Sequence, residues 1–284
     1  MTKLYLAVCF LFICNLSSYA TKLDLSSAQI FCPIRDKEIT KRSIEILQQE
    51  VKKRSNLNLS VTSTLPSQGQ VCIGIALESD LSAFPEIYKA AIRRLPAISA
   101  EGFKLVVIKD KKTVLIVGKD ARGILYGVGR LLRKLEMTPQ QLLLPTEVSI
   151  ATSPRYSIRG HQLGYRPKTN AYDAFTVGQF DQYIRELAIF GANSIEIVPP
   201  RTDDDPTSRH MVMPSLQMIA EQARICKEYG LDVWMWIVLH RTRCGNLVLL
   251  SATSEALKAV YWPMPGIAWL ASTTFLYQAE TLAN

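Results

Sequence analysis

The stretch Pro154 to Pro200, PRYSIRGHQLGYRPKTNAYDAFTVGQFDQYIRELAIFGANSIEIVPP, constrains the fold more than any other, because it reads as one strand, loop, helix, strand unit. Tyr156 to Leu163 is a short run of β character. Phe180, Tyr183, Ile184, Leu187 and Phe190 recur at helical spacing and predict one apolar stripe, which Gly191 ends. Ser194 to Val198 is an apolar run closed by Pro199 and Pro200, as expected of a parallel strand packed on both faces. The pattern then repeats. Pro214 to Tyr229 predicts a second amphipathic helix carrying Leu216, Ile219, Ala220, Ala223, Cys226 and Lys227, Gly230 stops it, and Leu231 to Val238, LDVWMWIV, is a further apolar strand. Strands and helices alternating at this spacing predict the opening of a parallel (β/α)8 barrel. Chemistry in such barrels sits at the C-terminal ends of the strands, which selects the loops after Leu163, Val198 and Trp236.

The chain ahead of this unit reads as a separate, smaller α/β arrangement. Gln29 to Pro33, Leu59 to Thr64 and Val71 to Leu77 read as strands, Lys37 to Ser55 and Pro85 to Leu95 as helices. Phe103 to Lys109 and Thr113 to Val117 predict a hairpin across Asp110 to Lys112, and a last helix runs from Ala121 to Leu135. Thr138 to Ser153, rich in Pro, Thr and Ser, reads as a linker. The expected class is therefore α/β, with a small α/β accessory sandwich over 21–150 followed by an incomplete (β/α)8 TIM barrel over 151–238. The accessory unit, at roughly 130 residues, lies in the range of domains that fold alone, so limited proteolysis is expected to leave a fragment ending near Ser153.

Within Gly118 to Glu136, GKDARGILYGVGRLLRKLE, the glycines at 123, 127 and 129 suggest a phosphate-binding loop only at first sight. Such a loop must open a helix to aim free amides at phosphate, whereas these glycines lie inside one. Close packing of the helix on the sheet is the expected reason for them.

The first segment, MTKLYLAVCFLFICNLSSYA, has Lys3, an apolar core of about eleven residues and small residues at Ser18 and Ala20, the pattern of a secretory signal over 1–20. It is shorter than the roughly 20 residues a spanning helix needs, so a secreted or periplasmic protein with no stable membrane span is expected. Of six cysteines, Cys9 and Cys14 fall in that segment. Cys32, Cys72, Cys226 and Cys244 show no metal-ligand spacing, and no metal or cofactor is expected. Cys32 and Cys72 sit on apolar strands, where buried thiols are favoured over a disulfide between them. A net charge of +8 raises nucleic acid as a partner, but the cations close helices, as at Lys52, Lys53 and Arg54, and lack interleaved aromatic residues, so solvated faces are expected instead.

DARGILYGVGRLL resembles the end of the accessory domain that precedes the catalytic barrel in β-hexosaminidases and α-glucuronidases, and YSIRG, Tyr156 to Gly160, resembles the entry to their first barrel strand. The resemblance covers Leu23 to Val238 and implies a glycoside hydrolase acting on a polysaccharide or glycan. The sequence departs from the hexosaminidase pattern where an Asp and an Arg follow the first strand: Gly164 stands at the Asp position and Arg166 is displaced by one. The resemblance places the catalytic acids on later barrel strands, so no catalytic residue is named here.

Candidate substrate-binding residues are Arg166, Glu196, His161, Tyr165 and Trp236. Arg166 beside Tyr165 offers a planar bidentate donor next to an aromatic platform, apt for a uronate carboxylate. Glu196 stands within SIEIVPP as a carboxylate at a strand end, with the acidic loop Asp203 to Asp205 after it. Trp234 and Trp236 alternate along one strand, where core filling is the expected role and Trp236 lies nearer the chemical end. A noncatalytic carbohydrate-binding or cell-surface module is the rival reading. After Val238 the alternation stops, and 239–284 is expected either to belong to a truncated longer protein or to be read out of frame. Read two bases on under one permitted codon choice, Ala271 to Asn284 becomes IDDILIPGGDPGK, which looks like a barrel strand and its loop.

Overall fold

The computed structural model describes residues 21–33, 38–67, 69–163, 175–197 and 211–234, with the backbone of 240–241 and 247–248. The segment 1–20, Tyr165, Arg166, Asp203 to Asp205, Trp236 and most of 239–284 therefore lie outside the described residues.

Lys22–Asp24 (β1) and Gln29–Phe31 (β2) lead into Glu38–Ser55 (α1), which turns Ile44, Leu47 and Val51 inward and leaves Lys52, Lys53 and Arg54 exposed in its last turn. Cations there meet the negative end of the helix dipole. Ser60–Thr62 (β3), Cys72–Leu77 (β4) and Glu86–Arg93 (α2) follow. Phe103–Ile108 (β5) and Thr113–Gly118 (β6) form the expected hairpin, closed by a 3-10 turn at Lys109–Lys111 and by Lys112 in the left-handed region at φ 46°. Asp120 then caps Ala121–Lys134 (α3), its carboxylate accepting the Gly123 amide at 2.9 Å.

Two further strands occupy the segment read as a linker. After Glu136–Thr138 (β7), Gln141–Pro145 (β8) pairs with both β7 and β1, and Ser149–Thr152 (β9) joins the edge of the main sheet beside β5. The linker expectation fails because β8 pairs with β1 and β9 with β5, partners distant in sequence, while Leu142 and Leu144 turn into the core. The main sheet has six strands in the order β3-β2-β4-β6-β5-β9. Its centre, β4 and β6, is buried at every position because both faces are covered. Ile73, Ile75, Val114 and Ile116 face α1 and α3, whereas Cys72, Ala76, Leu115 and Val117 join Phe84 and Tyr88 on the α2 side. Cys72 remains a buried free thiol, pushed by burial up to about 12, so no bridge to Cys32 forms.

The second unit runs Gly160–Gln162 (β10), Val177–Ile189 (α4), Ser194–Glu196 (β11), Ser215–Glu228 (α5) and Asp232–Trp234 (β12). The strands are parallel in the order β10-β11-β12. Thr176 and Gln179 start α4 with reciprocal capping hydrogen bonds, and Gly191 and Gly230, at φ 108° and 67°, end the two helices. This is the opening of the expected barrel, and among the described residues the sheet does not close. Phe190 departs from its predicted place on the buried stripe: as the C-cap residue just past α4 it swings out, is 70% exposed and lies under the Arg133 guanidinium, 4.7 Å from its ring centre. Farther on, His240–Arg241 (β13) pairs antiparallel with Leu247–Val248 (β14). Among the described residues, no helix is long and apolar enough to cross a membrane.

The two units share one core, contrary to the expectation of a separable accessory fold. A single cluster of buried side chains runs from Leu47, Leu125 and Leu132 to Phe180, Ile184, Ile219 and Tyr229. The helical glycines explain how the helices come so close. A Cβ at Gly123 would strike the Gly102 carbonyl just before β5 and one at Gly127 would strike Ile116 of β6, as the packing argument expects, but one at Gly129 would strike the Ile189 carbonyl of α4. Polar contacts are added between α1 and the barrel helices. The Tyr229 hydroxyl donates to Asp181 at 2.7 Å and accepts from Arg42 at 3.0 Å and Arg185 at 3.2 Å. Burying one Ile or Phe contributes about 1.5–3 kcal/mol, a hydrogen bond to a charged group about as much, and the seam holds many more of the former, so apolar contact dominates it.

Candidate functional site

The register of the parallel sheet sorts the candidate residues by face. Gln162, Glu196 and Trp234 are direct neighbours across β10, β11 and β12, and so share one face at the C-terminal ends of the strands. Gln162 donates from Nε2 to Glu196 Oε1 at 3.0 Å. Trp234 stands beside them, 44% exposed among the described residues, on the face of the sheet turned away from the helices. One residue earlier, His161, Ile195 and Val233 form the opposite row. Ile195 and Val233 are buried against the helices, and His161 Nε2 is hydrogen-bonded to the Tyr183 hydroxyl of α4 at 2.7 Å, with the rings edge to face. His161 therefore lies on the helix side of the sheet and Glu196 on the other. The structure brings Gln162, Glu196 and Trp234 together and separates His161 from them.

The N-terminal ends of the same strands meet the accessory unit in a polar hub around Glu101. Glu101 accepts from Arg122 at 2.8 Å, from Asn193 at 3.3 Å and from Arg159. Arg122 also donates to Asp232 Oδ1 at 2.7 Å and to the Gly230 carbonyl at 2.5 Å. Burial opposes ionisation of Glu101, but the hydrogen bonds from Arg122, Arg159 and Asn193 outweigh it and hold its carboxyl below the ordinary value. A cavity of about 200 Å³ opens beside this hub, lined by Tyr126, Arg133, Arg159 and Phe190 among others. The strands' C-terminal ends lie at the opposite end of the sheet from the hub.

Chemically, the exposed row offers an acceptor, a donor and an aromatic surface within one sheet width, which suits a polyhydroxylated ring better than a metal ion. No cluster of His, Cys, Asp or Glu among the described residues has the makings of a metal site. Glu196 is the one carboxylate among the described residues at these strand ends.

Residues 26–131 match the family Glycosyl hydrolase family 67 N-terminus. No curated protein matches the chain. Among solved structures, the GH20 β-N-acetylhexosaminidase from Streptomyces coelicolor A3(2) is similar with a TM-score of 0.54 and 16% identity, covering 76% of this chain and 43% of that one. A GH20 exo-β-N-acetylglucosaminidase from Vibrio harveyi, in complex with N-acetylglucosamine, gives 0.52 and 14% identity, with 86% and 36% covered. A family GH115 4-O-methyl-α-glucuronidase with specificity for decorated arabinogalactans gives 0.51 and 14% identity, with 74% and 29% covered. At these identities the likeness is one of fold, and the chain spans less than half the length of each. The chain is thus an α/β protein similar in fold to glycoside hydrolases. More particularly, its accessory unit resembles the family 67 N-terminus and its second unit the start of a glycosidase barrel.

Proposed function

We propose that this chain is part of an exported glycoside hydrolase that holds a saccharide at the C-terminal ends of β10, β11 and β12. The observation that supports this most is the row Gln162, Glu196, Trp234, an amide and carboxylate joined at 3.0 Å beside an exposed indole. The match of residues 26–131 and the likeness to hexosaminidase and glucuronidase folds support the same reading. Arg166 and Tyr165, which follow β10 in sequence, are included in this proposal for their chemistry, Arg166 as a bidentate donor suited to a uronate or similar acidic group. Hydrolysis of a glycosidic bond needs two carboxyl groups, or one acid assisted by the substrate. With the catalytic acids expected on later barrel strands, as the resemblance implies, the chain is proposed to bind sugar without turning it over.

Titrating the chain with glucuronic acid and with N-acetylglucosamine, followed by tryptophan fluorescence, tests this. Binding of either sugar is expected, weakened about tenfold in Glu196→Gln, a loss of the size that one charge-assisted hydrogen bond carries. Equal affinity in Glu196→Gln and Trp234→Ala would place the site elsewhere. Release of nitrophenol from aryl glycosides by the chain itself would show that catalytic carboxylates are already present.

A further inference from the structure

We propose that Glu101 is a positioning residue through which the accessory unit fixes the bases of three consecutive barrel strands. Arg159 immediately precedes β10, Asn193 immediately precedes β11, and Asp232 opens β12. Arg159 and Asn193 both donate to the Glu101 carboxylate, and Arg122 bridges that carboxylate to Asp232. The anchors are also tied to one another: the Arg159 amide donates to Asn193 Oδ1 at 2.8 Å, the Asn193 amide to the Arg159 carbonyl at 3.1 Å, and the Asp232 amide to the Asn193 carbonyl at 2.8 Å. One side chain from outside the sheet thus closes a lateral chain that runs across all three strands at one level.

Glu101 is built for this at a conformational penalty. Its backbone stands at φ 60°, in the left-handed region that residues other than Gly, Asn and Asp seldom adopt. Its amide is held there by Asp120 Oδ2 at 2.7 Å, the same carboxylate group that caps α3. Such an outlier persists only where surroundings over-determine it, and here they are the guanidinium groups of Arg122 and Arg159, the Asn193 amide and the Tyr126 hydroxyl that also meets Arg159 at 3.2 Å. Arg159 directs its remaining donors to the Gly191 and Tyr156 carbonyls at 2.7 Å each, so the loops entering β10 and β11 are set from the same point. Parallel strands lack a hairpin turn to fix their relative stagger, and a shared anchor at their bases supplies that constraint. The inference stands apart from the saccharide reading, since it concerns the sheet and not the ligand.

Hydrogen exchange by mass spectrometry on the full chain, without ligand, tests it. In Glu101→Gln, exchange of Gly160–Gln162 and Ser194–Glu196 is expected to accelerate about tenfold or more, the factor that losing one charge-assisted hydrogen bond carries, while Cys72–Leu77 and Thr113–Gly118 keep the wild-type rate. Equal acceleration in both sheets, or none in either, overturns the proposal. Should Glu101→Gln not fold, Asn193→Ala removes one arm of the hub from the barrel side and is expected to loosen only the parallel sheet. Collapse of both variants would make the hub a requirement of the whole fold, and the positioning role would be lost.

Discussion

Gly129 of α3 lies directly beneath the Ile189 carbonyl at the end of α4, so close that a methyl group at 129 would overlap that oxygen. The neighbour is backbone and has no rotamer to escape into. Gly129→Ala is therefore expected to lose about 2–3 kcal/mol, the range for overpacking a tight core, read as a lower urea midpoint. At Gly178, in the first turn of α4, a methyl group would meet nothing within 4 Å. Gly178→Ala should gain about 0.5–1 kcal/mol from helix propensity. Equal shifts in the two variants would mean that the helices are not in contact at Gly129.

The Glu101 carboxyl sets a pH dependence. Its folded value is held below the ordinary one, so the unfolded chain binds the proton first as pH falls. Glu78 behaves alike: a hydrogen bond from Lys119 lowers it, burial opposes, and Lys104 adds to the lowering. For both, the stabilisation is complete above the unfolded value of about 4.3 and disappears as pH drops through the depressed folded values. Urea midpoints measured from neutral pH to pH 3 should fall over that acid window. Glu101→Gln should flatten part of the slope, and an unchanged slope would remove Glu101 from the account.

Tyr229 gives a third test, because burial pushes its hydroxyl up to about 12 and it stays a donor at neutral pH. Tyr229→Phe keeps the ring and deletes the group that joins Asp181, Arg42 and Arg185. Leaving those partners short is expected to cost about 1–3 kcal/mol in a urea melt. No change would assign the seam entirely to apolar contact.

The elements that the sequence displays most clearly are those whose signals are local. α3 has its Asp120 cap and α4 its Thr176 and Gln179 box, and β4 is apolar at every position. β8 and β9 are hidden because strand pairing with β1 and β5 is a long-range event that composition does not carry. Phe190 leaves its expected stripe because helical spacing places a side chain by angle and is blind to the helix ending under it. At the site, Glu196 is visible as a carboxylate at a strand end. That Gln162 and Trp234 flank it, and that His161 does not, depends on the register between strands, which no single strand reveals.

A shared core also bears on separability. Residues 21–153 alone would expose the faces of α1 and α3 that cover Phe180, Ile184 and Ile219. That fragment is expected to bind a hydrophobic dye and to melt below the full chain. A fragment as stable as the full chain would show that the accessory unit completes its own core.

The exposed row differs from the seam in how freely it can evolve. Gln162 and Trp234 lie on the face of the sheet away from the packed helices, so in the saccharide reading their replacement would change which sugar is held while Ile195 and Val233 keep the strands in place. Changes at Glu101, Arg159 or Asn193 have no such freedom, since each leaves at least two charged or polar partners stranded, and viable change at the strand bases requires matched substitutions in both units together.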